Sequence, residues 1–164
     1  FNQIANYFNE FKGVKRRLEL IATISDTKIY DDFAHHPTAI KKTLEGLRNA
    51  MSNKVGTAKS NRLIVVFEPR SNSLRLGYGK QQLAESFQEA DIVHVYDGSV
   101  NWNVRLALNE LGKKVYVESN IQNILRKLLS QVRMGDVVVF MSNGDFQGIL
   151  QAFVEMLDLK KLQR

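Results

Sequence analysis

The sequence of 164 residues contains no cysteine and only two prolines. Without a thiol, the chain has no disulfide framework, no thiolate metal site and no thiol nucleophile. No apolar run approaches the ~20 residues of a membrane span, and the opening Phe1-Asn2-Gln3 lacks the pattern of a signal peptide. We therefore expect no membrane partner and a cytoplasmic location. Because the initiator methionine is missing, we also expect a fragment of a longer protein.

The formal charge of +6 at pH 7 is not gathered into one basic segment. Basic pairs are scattered over segments predicted to be helical or terminal, namely Lys41-Lys42, Lys113-Lys114, Arg126-Lys127 and Lys160-Lys161. Nucleic-acid-binding surfaces usually concentrate positive charge and interleave it with exposed aromatic residues. The sequence shows neither pattern, so we expect no nucleic-acid partner and favour small polyanionic ligands.

Hydrophobic residues make up 44% of the chain, which is enough for one domain with its own core over residues 1–164. Residue periodicity predicts strands at Leu18–Ile24, Lys28–Tyr30, Leu63–Phe67, Ile92–Tyr96, Val115–Val117 and Val137–Met141. It predicts helices at Thr38–Met51, Lys80–Ala90, Val104–Leu111, Ile121–Val132 and Ile149–Leu159. This alternation indicates an α/β fold, a Rossmann-like, mostly parallel sheet with an antiparallel edge strand and helices on both faces. The polar segment 52–61 is a candidate mobile insertion.

Polar side chains cluster directly after three of the predicted strands. Ligands of open α/β sheets bind beyond the carboxyl ends of the strands. The three clusters are Asp31, Asp32, His35 and His36 after the second strand, Glu68 to Arg75 after the third, and Ser142 to Asp145 after the last. We expect these clusters to lie along one rim of the sheet.

Asp32 and His35 offer an acceptor and a ring that can bind a ribose hydroxyl, a metal-bound water or a base. An Asp before a helix is also a common cap, and a histidine beside proline can simply fix a loop, so residue type alone leaves both interpretations open. Adjacent histidines splay apart, and His94 lies inside an apolar strand as a core or edge residue. We therefore predict no metal site in this domain.

The segment from Glu68 to Arg75 contains two guanidiniums, two hydroxyls and an amide. These groups belong to Arg70, Ser71, Asn72, Ser73 and Arg75. Arginine binds carboxylate or phosphate through a rigid fork, so we favour anion binding over a solvated loop. Gly77-Tyr78-Gly79 is only half of a dinucleotide fingerprint and carries little weight.

The segment Tyr30 to Thr38 resembles, almost letter for letter, the Asp-Asp-Tyr-Ala-His-His-Pro-Thr signature in the C-terminal domain of Mur ligases. These are ATP-dependent amide-forming enzymes of bacterial cell-wall synthesis. Phe11 to Glu19 also resembles the opening of that domain, where an arginine followed by an apolar residue and an acid reaches the ATP phosphates. The resemblance implies ATP-binding residues Arg17, Asp32 and His35. It implies substrate-binding residues His36, Arg70, Ser71, Asn72, Arg75, Ser142 and Asn143.

Within the family, the segments Glu68 to Arg75 and Met141 to Gly144 resemble the murein peptide ligases. These join the recycled tripeptide L-alanyl-γ-D-glutamyl-meso-diaminopimelate to UDP-N-acetylmuramate. Asp145 departs from the pattern, since a second glycine usually stands there. That departure leaves the shape of the last loop open.

The phosphate-gripping string G-x-x-x-x-G-K-[ST] does not occur in the sequence. The resemblance therefore implies the C-terminal domain of a three-domain enzyme, whose N-terminal and central domains are its partners within one chain. ATP and Mg would be bound mainly by the central domain, so we expect no catalytic residue in this domain and no activity from it alone. The alternatives are the same domain of a UDP-N-acetylmuramate:L-alanine ligase, or a stand-alone nucleotide- or anion-binding module.

Overall fold

The computed structural model describes residues 15–52 and 61–162. The strands are β1 Glu19–Ile24, β2 Thr27–Asp32, β3 Leu63–Phe67, β4 Ile92–Tyr96, β5 Val115–Glu118 and β6 Val137–Met141. The helices are α1 Pro37–Ser52, α2 Asn72–Arg75, α3 Leu83–Ser86, α4 Val104–Ala107, α5 Ile121–Gln131 and α6 Ile149–Leu162. Short 3₁₀ helices span Lys80–Gln82, Asn109–Lys114 and Phe146–Gly148. Most of the predicted mobile insertion and residues 11–14 of the Mur-like opening lie outside the described residues.

The six strands form one sheet in the order β1-β2-β6-β3-β4-β5. β1 pairs antiparallel with β2 at one edge, and every other pairing is parallel. With helices packed on both faces, this confirms the predicted fold class. In the register, Met141 at the end of β6 pairs with Asp32 of β2 and with Phe67 of β3. The carboxyl ends of these three strands are therefore level and adjacent.

The first hairpin turns through Ser25 and Asp26, whose φ values are 47° and 60°. Two consecutive positive φ values are typical of the two-residue turn that matches the twist of antiparallel strands. β1 begins at Glu19, one residue later than predicted, because Leu18 has a φ of 48° and cannot continue an extended strand.

The central strands β3 and β6 are buried along their whole length and divide the core into two layers. Leu63, Val65 and Phe67 of β3 pack on the side of α1 and α3. Ile64 and Val66 pack on the side of α5 and α6. This explains why their sequences show continuous apolar runs instead of alternation.

Two predicted helices are shorter in the structure. Lys80–Ala90 holds a 3₁₀ turn and only four α-helical residues, because Phe87, Gln88 and Ala90 bond to the carbonyl three residues earlier. Val104–Leu111 is α-helical only to Ala107 and continues as a 3₁₀ helix. The helical turn α2 was not predicted.

His94 lies within β4, between β3 and β5, and is fully buried, as the core interpretation predicted. Its Nε2 lies 2.9 Å from Oε1 of Gln131, and its ring stacks on Tyr116. Burial lowers the pKa of His94 to about 4, against the raising effect of the Gln131 bond. Over the parts of the chain that the structure describes, no helix is long and apolar enough to cross a membrane.

Candidate functional site

The predicted rim exists, and neighbouring backbones tie its loops together. The loop after β2, the loop after β6 and the segment after β3 follow adjacent strands. The Ser142 N–H donates to the Asp32 carbonyl at 3.2 Å, and the Glu68 N–H donates to the Met141 carbonyl at 3.0 Å. These bonds extend the parallel ladder one residue past each strand. The three polar clusters therefore lie side by side.

Arg16 joins the opening segment to two of these loops. Its Nε donates to Asp31 Oδ2 at 2.9 Å, and its Nη2 donates to the carbonyls of Ser142 and Gly144, both at 2.7 Å. Its own carbonyl accepts from the Phe33 N–H at 2.7 Å. A guanidinium with this many internal acceptors is committed to holding the loops together.

Arg17 has the opposite environment. Its side chain is exposed, and its Cζ lies 5.9 Å from the centre of the Phe33 ring. Within the described residues its guanidinium makes no hydrogen bond or ion pair. The neighbouring arginine is fastened, so Arg17 is the cation of this pair that can meet an anion.

Asp32 is 2% exposed, and both of its carboxylate oxygens accept backbone bonds. Oδ1 accepts from the Ala34 N–H at 2.7 Å, and Oδ2 accepts from the Leu18 N–H at 2.8 Å. This carboxylate therefore links the backbone at Leu18, before β1, to the backbone at Ala34, after β2. Each oxygen has a further lone pair, so a ligand donor is still compatible with this arrangement.

The two histidines have different environments. His35 is half-buried, with Nδ1 2.9 Å from the Phe33 carbonyl and its ring edge-on to Phe33. The carbonyl requires the proton on Nδ1 and leaves Nε2 of a neutral ring as an acceptor. His36 is exposed, and its Nδ1 accepts from the Thr38 N–H at 3.3 Å in the first turn of α1.

Ser142 and Glu68 form a buried contact between β6 and β3. The Ser142 hydroxyl donates to Glu68 Oε2 at 2.6 Å and accepts from the Gly144 N–H at 3.0 Å. Both residues are at least 97% buried, so the predicted substrate-binding Ser142 faces a protein partner in the structure. Beside it, Oδ1 of Asn143 is buried and has no hydrogen-bond partner among the described residues. A ligand N–H is the type of group that would satisfy this acceptor.

In the predicted anion-binding segment after β3, Ser71 is buried, whereas Arg70, Asn72, Ser73 and Arg75 are exposed. Ser71 is buried and caps α2 by accepting from the Leu74 N–H at 3.3 Å. Asn72 and Arg75 are exposed, and their side chains have no hydrogen-bond or ion-pair partner among the described residues. The turn of helix therefore directs an amide and a guanidinium away from the core.

Arg70 reaches from this segment to the loop after β6. Its Nη1 lies 3.2 Å from Oδ1 of Asp145, with the two side chains 45% and 81% exposed. The guanidinium also lies against Gly144, where a Cβ would come within 2.8 Å of Cζ. The Gln147 N–H and the Arg70 guanidinium hold the pKa of Asp145 below its usual value.

Sequence reasoning overlooked Arg16 and Glu68 as parts of this arrangement. The sequence patterns assign no role to Arg16, and they include Glu68 only as the first residue of the segment after the third strand. For Glu68, the available signal was its place directly after the continuous apolar run Leu63–Phe67, because such a run indicates a strand buried on both faces. No local signal reports the contacts of Arg16, because its acceptors lie up to 128 residues away. Within residues 15–52 and 61–162, no group of three or more His, Asp or Glu side chains could hold a metal ion.

Known proteins resemble this chain over most of its length. The family model described as "Mur ligase, glutamate ligase domain" matches residues 16–144. The chain is 36% identical over 157 residues to the UDP-N-acetylmuramate–L-alanyl-γ-D-glutamyl-meso-2,6-diaminoheptandioate ligase of Escherichia coli K12, covering 95% of this chain and 33% of that protein. It is 30% identical over 176 residues to the UDP-N-acetylmuramate–L-alanine ligase of Symbiobacterium thermophilum, covering 100% of this chain and 35% of that protein.

The crystal structure of a murein peptide ligase from Psychrobacter arcticus 273-4 has the same fold. It superposes with a TM-score of 0.75 at 34% identity, over 90% of this chain and 31% of that one. The chain thus spans about a third of the length of the relatives it matches. The family match and the conserved sheet lead to one conclusion: the chain belongs to the Mur ligase family, as a C-terminal (glutamate ligase) domain.

Proposed function

We propose that this chain is one domain of a longer, cytoplasmic bacterial ligase that attaches recycled murein tripeptide to UDP-N-acetylmuramate at the expense of ATP. In this proposal the N-terminal and central domains belong to the same chain. The domain described here closes over ATP and binds the tripeptide, and it has no ATPase or ligase activity alone. Its contribution is to position the substrates and to stabilise the negative charge that develops during phosphoryl transfer.

The observation that carries the proposal is the set of exposed cations on one rim. Arg17 precedes β1, and Arg70 and Arg75 follow β3, at the same edge of the sheet. Asp145 is the one acid that pairs with any of them in the described part of the chain. A rim that exposes several guanidiniums suits a ligand that carries phosphates and carboxylates.

The ATP side of the rim comprises Arg17, His35 and Asp32. Arg17 is free to meet phosphate oxygens, His35 offers Nε2 to a nucleotide, and Asp32 fixes the loops that carry both. This combination of one cation and two acceptors fits the phosphates and the nucleoside of a nucleoside triphosphate. Mg would neutralise the phosphate charge during transfer, and we propose that the central domain holds it.

The tripeptide side comprises Arg70, Asn72, Arg75 and Asn143. Two guanidiniums can pair with the several carboxylates of the tripeptide, and the unsatisfied Oδ1 of Asn143 can accept from a peptide N–H. His36, Ser71 and Ser142 would shape this side, since each is hydrogen-bonded to another part of the protein, namely to Thr38, Leu74 and Glu68 respectively. Free L-alanine has a single carboxylate, which gives the second arginine no role.

The test is steady-state ligation by the full-length enzyme, with tripeptide and L-alanine as competing acceptors. We expect tripeptide to be the preferred acceptor. Arg70→Ala should lower kcat/KM for tripeptide by roughly one to two orders of magnitude, since losing a charged hydrogen bond costs ~1.5 to 3 kcal/mol, with little change in the KM for ATP.

Three results would reject parts of this proposal. Efficient alanine addition by the unmodified enzyme would favour the L-alanine ligase alternative. Normal tripeptide kinetics in the Arg70→Ala enzyme would contradict the proposal that the segment after β3 binds the tripeptide carboxylates. Turnover by the purified 164-residue chain would contradict the proposed inactivity of the domain alone.

A further inference from the structure

Arg70 and Asp145 place a cation and an anion side by side on the open part of the rim. We propose that this pair reads the zwitterionic end of the acceptor, with Arg70 binding its carboxylate and Asp145 binding its ammonium group. The inference rests on the proposed function and assigns a specificity-determining role to Asp145, the residue where the sequence departs from the murein peptide ligase pattern.

The pair keeps most of its hydrogen-bonding capacity. A single contact of 3.2 Å joins Nη1 to Oδ1. Asp145 Oδ2 and the Nε and Nη2 groups of Arg70 have no partner within the described residues. A guanidinium has five donors and a carboxylate has about four acceptor sites, so both groups can bind a ligand while they remain in contact.

The loop holds Asp145 in place before any ligand arrives. Asp145 Oδ1 accepts from the Gln147 N–H at 3.4 Å at the start of a 3₁₀ turn. The preceding Gly144 is fixed through its N–H to the Ser142 hydroxyl and through its carbonyl to Arg16. Ordering a side chain in advance lowers the entropy cost of binding.

Glycine at position 144 lets the two groups meet. The Arg70 side chain crosses directly over Gly144, and a Cβ there would come within 2.9 Å of the Arg70 Cδ. Without a side chain at this position, the guanidinium lies flat against the loop and reaches the carboxylate of the next residue.

The chemistry of the acceptor matches this arrangement. In a tripeptide that ends in 2,6-diaminoheptanedioate, one amino group is used in the peptide bond. The far end then carries an ammonium and a carboxylate on the same carbon. A side-by-side guanidinium and carboxylate complements both charges at once, whereas lysine offers the ammonium alone and 2-aminoheptanedioate offers the far carboxylate alone.

The existing ion pair does not block such a ligand. Exposed ion pairs contribute little to stability, so the acceptor can replace or share this contact at small cost. Once the site is covered by substrate and the other domains, the same charges interact in a lower dielectric and discriminate more strongly.

The experiment uses the full-length enzyme and three synthetic tripeptides that differ only in the third residue: meso-2,6-diaminoheptanedioate, L-lysine and 2-aminoheptanedioate. The variant is Asp145→Asn, which removes the charge but keeps an oxygen that can accept from the Gln147 N–H. Asp158→Asn, an exposed carboxylate near the far end of α6, is the matched control.

We expect Asp145→Asn to raise the KM for the diaminoheptanedioate peptide roughly tenfold, the effect of losing one charged contact. The KM for the 2-aminoheptanedioate peptide should change by less than about twofold, because that peptide has no far ammonium group. Equal changes for both peptides, no change, or a lower KM for the diaminoheptanedioate peptide would overturn the inference. If the unmodified enzyme uses none of the three peptides, the proposed function fails and the inference falls with it.

Discussion

Two parts of the same rim use similar residues for opposite purposes. In the part formed by the loops after β2 and β6, Arg16, Asp32 and Ser142 bond to backbone or to a buried side chain. In the part formed by the segment after β3, Asn72 and Arg75 project into solvent without a partner among the described residues. Arg16, Asp32 and Ser142 thus form a scaffold, and Asn72 and Arg75 present free donors beside it.

The contrast is sharpest within one dipeptide. Within the described residues, the Arg16 guanidinium has three hydrogen-bond acceptors, whereas that of Arg17 contacts only the face of a phenylalanine ring. The sequence alone gives no reason to distinguish these two consecutive arginines. Substitutions that separate stability from activity are therefore the way to test whether this division is real.

The largest effect is expected for Asp32→Ala. The substitution leaves the N–H groups of Leu18 and Ala34 without their charged acceptor, at ~1.5 to 3 kcal/mol for each bond. We expect the free energy of unfolding to fall by roughly 4 kcal/mol, measured by urea denaturation. Asp158→Ala, on the exposed face of α6, should change it by less than about 0.5 kcal/mol. Equal losses for the two variants would show that Asp32 is not a structural anchor.

The next largest effect is a loss of stability at acid pH that comes from the buried His94. The pKa of His94 is about 4 when folded, below the 6.5 expected when unfolded, so the unfolded chain binds more protons between these values. Stability from neutral His94 is complete above pH 6.5 and is lost as the pH falls toward 4. The loss should reach about 3 kcal/mol relative to His94→Gln, measured by denaturation at pH 7, 5.5 and 4.

A parallel pH dependence in His94→Gln would assign the acid sensitivity to other groups. His35→Gln is the comparison variant, since its ring is already partly solvated. We expect it to retain the pH dependence of the unmodified chain.

A smaller loss is expected for Arg16→Ala. It removes the contacts to Asp31 and to the Ser142 and Gly144 carbonyls, which should lower the free energy of unfolding by about 2 kcal/mol after allowance for partial exposure. Thermal denaturation should show Tm lowered by roughly 4 to 8 °C. Arg17→Ala should leave Tm almost unchanged. Similar Tm values for the two variants would contradict the structural role of Arg16 and the absence of such a role for Arg17.

The sequence predicted the backbone plan well and the roles of individual polar residues less well. Strands such as Leu63–Phe67 were predictable because their apolar runs reflect burial on both faces. The rim followed from the rule that parallel strands share one carboxyl edge. The predicted helix at Lys80–Ala90 was too long, since its spacing is helical but its bonds are of the tighter 3₁₀ type.

Local pattern could not show which polar residues would be used internally. Ser142 meets Glu68 across 74 residues of sequence, and Leu18 meets Asp32 through a backbone N–H that any residue except proline would supply. Such partners exist only once the sheet has formed. Exposed side chains such as Arg70 are the converse case, because their type alone indicates what they can bind.

The most direct test of the division is the rate of ligation by the full-length Arg17→Ala enzyme. A guanidinium facing phosphates contributes most as charge develops during transfer, so kcat should fall at least roughly tenfold while the KM for tripeptide and Tm stay close to the unmodified values. An unchanged kcat with a raised tripeptide KM would place Arg17 at the acceptor side and contradict the account.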